Sequence, residues 1–181
     1  MRDSDYRGVF DINGSLTDDG FVAFEPTSRF GIPATSYEFI AGIKSGTSDI
    51  LKAMATGEDA TVRIIHGWGM VIVLTAKPYP SEAHVGNEHT SLGEKLWILK
   101  DGKPTDDFDH RQEARVHLEN LYKDGNDYKV ATPNGYILVV SGSGPTISVV
   151  RNDIIKFIRD NLYISGMKHR TDIGKRIEDN L

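Results

Sequence analysis

The sequence predicts an α+β chain, rich in short strands and closed by one long helix, and three observations carry that expectation. Apolar and polar side chains alternate in Val9–Asn13 and Phe21–Glu25 around the turn signal Thr17-Asp18-Asp19-Gly20, which is the pattern of a hairpin. A second group of short apolar runs follows from Val62 onward, punctuated by Gly and Pro rather than by helical periods. Near the end, Ile147, Val150, Ile154, Phe157 and Leu162 recur at helical spacing behind Pro145, a residue suited to a first helical turn. The 181 residues suffice to bury a core without cross-links, and with no cysteine the chain can form none.

The first hairpin reads as a sheet edge. Residues 29–35 carry Gly31 and Pro33 and read as a loop. A helix is expected to start near Thr47 or Ser48, run to Met54 and stop at Gly57. Strands are then expected over Val62–His66 and Met70–Thr75, on either side of a Gly67-Trp68-Gly69 turn. Lys77-Pro78-Tyr79-Pro80 breaks that sheet, and 81–93 is polar and Gly-containing, a long loop of the kind that carries function. Leu96–Leu99 reads as a strand ending at Asp101-Gly102, and Asp106, Asp107 and Asp109 as a solvated bend. Tyr128–Thr132 and Tyr136–Val140, joined by Pro133-Asn134-Gly135, read as another hairpin. No internal repeat or low-complexity tract is present.

A net charge of -5 and a pI of about 5.7 disfavour nucleic acid as a polymeric partner, whereas one small phosphate needs only a few placed cations. The longest apolar runs, Met70–Leu74 and Tyr136–Val140, fall far below the roughly 20 residues that cross a bilayer, so no membrane partner is expected. The acidic, polar start has no apolar stretch behind it, and a cytoplasmic location is the expectation.

Glu25 stands at a strand end with Arg29 four residues on. A carboxylate there can hold magnesium and a guanidinium can grip phosphate, but a plain surface ion pair fits the spacing as well. Ser141-Gly142-Ser143-Gly144-Pro145 could cradle an anion between strand and helix; it lacks the third glycine of a dinucleotide fingerprint, and a tight turn into the helix is the simpler expectation. His84, His89, His110 and His117 show no zinc spacing, the three Asp lack the other ligands of a calcium loop, and no Ser sits in a nucleophile elbow. The phrase from Gly166 to Gly174 reads as a helix stop and turn, in which Arg170 and Asp172 either order the turn or line a pocket.

Together these phrases resemble the C-terminal third of the glycinamide ribonucleotide synthetase (phosphoribosylamine–glycine ligase) family, within the ATP-grasp superfamily. Tyr6-Arg7-Gly8-Val9 and Thr17-Asp18-Asp19-Gly20 look like its last ATP-grasp hairpin, and Glu25, Arg29-Phe30-Gly31 and Pro33 like its Glu-x-Asn-x-Arg-Phe-Gly-Asp-Pro-Glu motif. Tyr79-Pro80, His117, Lys123-Asp124-Gly125, Asn134-Gly135 and Gly142-x-Gly144 follow in the family's order. The ending Gly166-Met167 to Arg170 with Asp172-Ile173-Gly174 is similar to its Gly-Met-x-Tyr-Arg-x-Asp-Ile-Gly signature.

The resemblance implies an ATP-dependent amide ligation of purine biosynthesis, with glycine as carboxylate, phosphoribosylamine as amine, and ATP and magnesium as cofactors. It implies Glu25 and Thr27 as metal ligands, Arg29 as the catalytic phosphate contact, and Arg29, Gly31, Arg170 and Asp172 as substrate- or phosphate-binding residues. Thr27, Ile32 and Ala34 replace the motif's Asn, Asp and second Glu, which leaves the metal site partly degraded. It further implies that 1–58 ends an ATP-grasp domain and that 59–181 forms a strand-rich, hybrid-barrel-like domain. A complementary chain would supply the nucleotide-binding half, and the isolated chain is expected to be inactive. Two alternatives accompany this: a non-catalytic binding or scaffold protein that kept the fold, and an ATP-grasp ligase with another amine acceptor.

Overall fold

The computed structural model describes residues 5–31, 42–80 and 90–179. The expectations for Ile32, Pro33, Ala34, His84 and His89, and for most of the 81–93 loop, lie outside these residues. The chain divides into two compact units, 1–66 and 67–181.

The first unit opens with the expected hairpin, β1 (Asp11–Thr17) and β2 (Gly20–Thr27), paired antiparallel from Thr17↔Gly20 to Asp11↔Thr27 with an irregularity at Asn13/Gly14. Strand β1 starts two residues and ends four residues later than the alternation suggested, so Val9 and Phe10 precede the ladder, and β2 extends the expected run by one residue at its start and two at its end. Along β2 every side chain is exposed except that of Thr27, including Phe21, Val22 and Phe24. Helix α1 (Thr47–Thr56) ends where expected, because Gly57 takes the left-handed conformation at φ 75° and returns its N–H to the Ala53 carbonyl. Its start corrects the expected cap: Gly46 holds that position and no side chain caps it. Ile50 and Ala53 are this unit's buried apolar residues among those described. The expected strand over Val62–His66 is absent; one bridge, Ile43↔Ile64, stands in its place.

The second unit holds the core. A three-stranded antiparallel sheet has the order β3 (Trp68–Thr75), β9 (Tyr136–Gly144), β6 (Val116–Leu118). A five-stranded sheet runs in the order β10 (Leu162–Tyr163), β4 (Lys95–Lys100), β8 (Asp127–Val130), β7 (Leu121–Asp124), with β5 (Lys103–Thr105) also on β4. Helix α3 (Ile147–Asn161) lies on them through Ile147, Val150, Ile154 and Ile158, which meet Met70, Ile72, Leu74, Leu96 and Ile98 in one cluster. Each such aliphatic contributes about 1.5–3 kcal/mol by leaving water.

Several expectations are corrected here. Gly67-Trp68-Gly69 is no turn, since β3 already begins at Trp68 and pairs with Gly144. Tyr128–Thr132 and Tyr136–Val140 do not pair: β8 joins β4 and β7, whereas β9 joins β3 and β6, so Pro133-Asn134-Gly135 crosses between sheets. Ser141-Gly142-Ser143-Gly144 is neither turn nor anion cradle but the end of β9, hydrogen-bonded to β3. Its glycines admit the helix: a Cβ on Gly142 would stand 2.8 Å from Ile154 Cγ1, and one on Gly144 3.1 Å from Val150 Cγ2. Pro145 precedes the N-cap, which is Thr146, whose hydroxyl accepts from the Val149 N–H at 3.2 Å. The Asp cluster is more than a solvated bend. Asp109 forms a capping box with Gln112 at the start of helix α2 (His110–Glu113), and Asp107 accepts from Lys123 at 2.8 Å and Tyr128 at 3.1 Å. A short helix α4 (Lys175–Glu178) closes the described chain.

Candidate functional site

Strand alternation places Glu25 and Thr27 on one face of β2, and the register sets Asn13 opposite Glu25 and Asp11 opposite Thr27. The contact is direct for one pair, with Asn13 Nδ2 donating to Glu25 Oε1 at 3.4 Å. Thr27 Oγ1 is buried without a hydrogen-bond partner, an arrangement that costs about 1–3 kcal/mol unless something takes its lone pairs. Two carboxylates, an amide and a hydroxyl on one face are all hard oxygen donors. Magnesium is commonly held by one or two carboxylates with water and substrate phosphates completing its shell, and this set fits it.

Arg29 and Gly31 follow in the irregular segment after β2. Arg29 is exposed and donates Nη1 to the Phe30 carbonyl at 2.9 Å rather than pairing with Glu25, so the surface ion pair open to the spacing is not formed.

In the second unit Arg170 and Asp172 form the pair their spacing allowed. Arg170 donates Nε and Nη2 to the two Asp172 oxygens at 2.9 and 2.8 Å, a planar fork that leaves Nη1 over. The guanidinium holds the Asp172 carboxyl down to about 2 and is itself pushed above its ordinary value. Both residues line a surface groove that continues along Ile173, Lys175 and Ile177. The turn is also tied to the sheet, because Thr75 and Lys168 exchange backbone hydrogen bonds at 2.9 and 2.7 Å.

Three sets of contacts escaped the sequence reading. His117 Nε2 lies 2.8 Å from the Ser141 hydroxyl, and burial pulls its pKa down against the opposing Glu119 charge. Gln112, almost wholly buried, donates to the Leu99 carbonyl and to Asn161 Oδ1, both at 2.9 Å. Lys168 and His169 line a second groove with Arg170, and burial keeps His169 below the usual histidine range. The Lys168-His169-Arg170 run was the available signal, but the strand it faces is far away in sequence. Among the described residues no group of three His, Cys, Asp or Glu is placed to hold a metal ion, and no helix is long and apolar enough to cross a membrane.

The fold so described is mixed α/β, mostly strands with few helices. A crystal structure of phosphoribosylamine–glycine ligase from Thermotoga maritima matches it with a TM-score of 0.62 at 15% identity, covering 90% of this chain and 36% of that one. In sequence the chain is similar to phosphoribosylamine–glycine ligase of Lactococcus lactis subsp. lactis (strain IL1403), 24% identical over 172 residues, which are 94% of this chain and 37% of the relative. No protein-family model matches. The chain therefore resembles the C-terminal part of phosphoribosylamine–glycine ligases, and it spans little more than a third of their length.

Proposed function

We propose that this chain is the C-terminal portion of an ATP-dependent carboxylate–amine ligase of the phosphoribosylamine–glycine ligase kind, completed by polypeptide that carries the nucleotide-binding half. The observation that carries the reading is the likeness, in sequence and in fold, of nine-tenths of the chain to one part of those ligases. The oxygen face of the hairpin supports it. In this reading 1–58 ends the ATP-grasp domain and 59–181 is the strand-rich domain behind it.

The reaction joins a carboxylate to an amine in two steps. The carboxylate oxygen takes the terminal phosphoryl group of ATP, releasing ADP, and the amine nitrogen then attacks the activated carbonyl, forming the amide bond as phosphate leaves. Glu25 and Thr27, with Asp11 and Asn13 beside them, would hold magnesium, which when bound neutralises triphosphate charge. Arg29 gives up a weak hydrogen bond to its neighbour's carbonyl and turns its fork to a phosphate, stabilising charge where phosphoryl transfer develops it. Gly31 lets backbone approach the same group, and Arg170, steadied by Asp172, holds an anionic substrate.

The test mixes the chain with its complementary half, ATP, magnesium, glycine and phosphoribosylamine, and measures ADP. Turnover that disappears in Glu25→Ala is the expected result. A stable, properly folded assembly with no ADP release under any substrate pair overturns it. Thr27, Ile32 and Ala34 in the motif favour a second reading, a non-catalytic scaffold of this fold; magnesium-dependent ATP binding that Glu25→Ala abolishes excludes that one. Turnover with amines other than phosphoribosylamine marks a ligase with a different acceptor.

A further inference from the structure

The link from β8 to β9 assembles, around one side chain, the parts that an asparagine needs to lose its amide. Asn134 Oδ1 accepts from the Thr132 hydroxyl at 2.7 Å and from the Tyr136 N–H at 3.0 Å. A backbone N–H can only donate, so the atom it meets is the oxygen, and Nδ2 has no protein partner among the described residues. The Tyr136 bond reaches two residues along the chain and folds Cγ back over the intervening Gly135 peptide. Both donors already sit on the oxygen that turns negative when a nucleophile adds at Cγ.

The nucleophile is the Gly135 nitrogen. Gly135 has no side chain to shield that atom, and among the described residues its N–H meets no acceptor. Gly135 is buried against Ala76 and Tyr79, which holds the turn in this arrangement, whereas Asn134 is exposed to water. The chain carries its own control, because Asn13-Gly14 repeats the same pair of residues. There the amide nitrogen is engaged, donating to Glu25 Oε1 at 3.4 Å, and Gly14 lies in the ladder opposite Ala23.

We propose that Asn134 is a site of spontaneous deamidation and isoaspartate formation, selected by the turn that holds its carbonyl. Hydroxide takes the Gly135 amide proton, the nitrogen bonds to Asn134 Cγ, and the Cγ–Nδ2 bond breaks. Ammonia leaves with a proton from water, and a cyclic imide remains. Water then opens either imide carbonyl. Opening at Cγ gives aspartate, whose carboxylate still accepts from Thr132 and Tyr136. Opening at the main-chain carbonyl gives isoaspartate, which routes the backbone through one extra methylene. That product displaces the Gly135 carbonyl from the Ala76 N–H, now 2.8 Å away, and the Tyr136 ring from Tyr79, now 6.3 Å between centroids. The proposal does not depend on the ligase reading.

The full chain is held at neutral pH, folded and in urea, and peptide mapping by mass spectrometry follows both Asn-Gly pairs, with fragmentation that separates isoaspartate from aspartate. In the folded chain Asn134 should convert at least about fivefold faster than Asn13, and in urea the two rates should agree within about twofold. Thr132→Val, which removes the hydroxyl donor, should slow Asn134 about threefold or more and leave Asn13 alone, while Thr132→Ser keeps the original rate. The isoaspartate form, separated by ion exchange, should melt below the fresh chain, and Asn134→Asp should melt with it. Equal conversion at the two sites in the folded chain overturns the proposal. So does a preference for Asn134 that persists in urea, or a folded Thr132→Val chain that converts as fast as the parent.

Discussion

Replacing Gln112 by Met keeps the length of the side chain and removes its polar end, which tests whether this one amide ties helix α2 to the sheet and to α3. Gln112 is 3% exposed. Its Nε2 donates to the Leu99 carbonyl and to Asn161 Oδ1 at 2.9 Å, and its Oε1 accepts from the Asp109 N–H at 3.0 Å. Asn161 is only partly buried and can turn to water, so the cost falls on the Leu99 carbonyl and the Asp109 N–H. At about 1–3 kcal/mol for each group left unpaired, softened by partial solvent access at Asp109, the expected loss is about 2–4 kcal/mol. Both tryptophans, Trp68 and Trp97, belong to the 67–181 unit, so fluorescence in a urea titration reads the unit in question and not its neighbour. A double-mutant cycle with Asn161→Ala should return a coupling of about 1 kcal/mol. A loss below about 0.5 kcal/mol for Gln112→Met, at unchanged slope, would refute the reasoning.

Gly135 sits at φ 74°, and a Cβ there would run into the Ala76 carbonyl oxygen, so Gly135→Ala should lower the thermal midpoint of the second unit by on the order of 5–10 °C; an unchanged midpoint rejects the clash. The Asp172 carboxyl, titrated by NMR, should show its midpoint near 2 and rise toward 3.8 in Arg170→Ala. Because its pKa is lower in the folded chain, the stability it adds is present above about pH 4 and lost as pH falls toward 2; a midpoint unmoved by the substitution counts against the fork. His117 should titrate below the ordinary histidine value of 6.5, and Glu119→Gln should take it lower still, since that carboxylate opposes the effect of burial. With the folded pKa depressed, the unfolded chain takes up the proton first, so this group's contribution is lost as pH falls below about 6.5; an upward shift in Glu119→Gln contradicts the assignment.

Helix α3 was legible because Ile147, Val150 and Ile154, three of its four buried residues, recur on one stripe of a helix fifteen residues long; Ile158 went unread, and Leu162, counted with the stripe, belongs to β10. The first hairpin was legible from its turn. Strands β5, β6 and β7 were not, since three or four residues carry too little pattern to separate from loop. Pro133-Asn134-Gly135 misled for a physical reason. Asn134 Oδ1 gathers the Thr132 hydroxyl and the Tyr136 N–H at 2.7 and 3.0 Å, a local turn that forms whether or not the flanking strands pair. The tract Ser141 to Gly144 misled likewise: glycine there answers to the closeness of Ile154 and Val150, which no local sequence reveals. Of the candidate residues, Arg170 and Asp172 stood close enough in sequence to pair, but spacing left open whether they order the turn or line a pocket. The facing of Asn13 and Asp11 on Glu25 and Thr27 needed the ladder register, and the groove under Lys168 needed β3 beside it.

Among the described residues the β1–β2 ribbon has almost nothing beneath it and no third strand to set its coil. The separation of the Glu25 and Thr27 oxygens therefore follows whatever curvature the ribbon adopts. A neighbour that winds or flattens it would bring those oxygens toward one cation or draw them apart, acting on affinity through shape without touching a ligand.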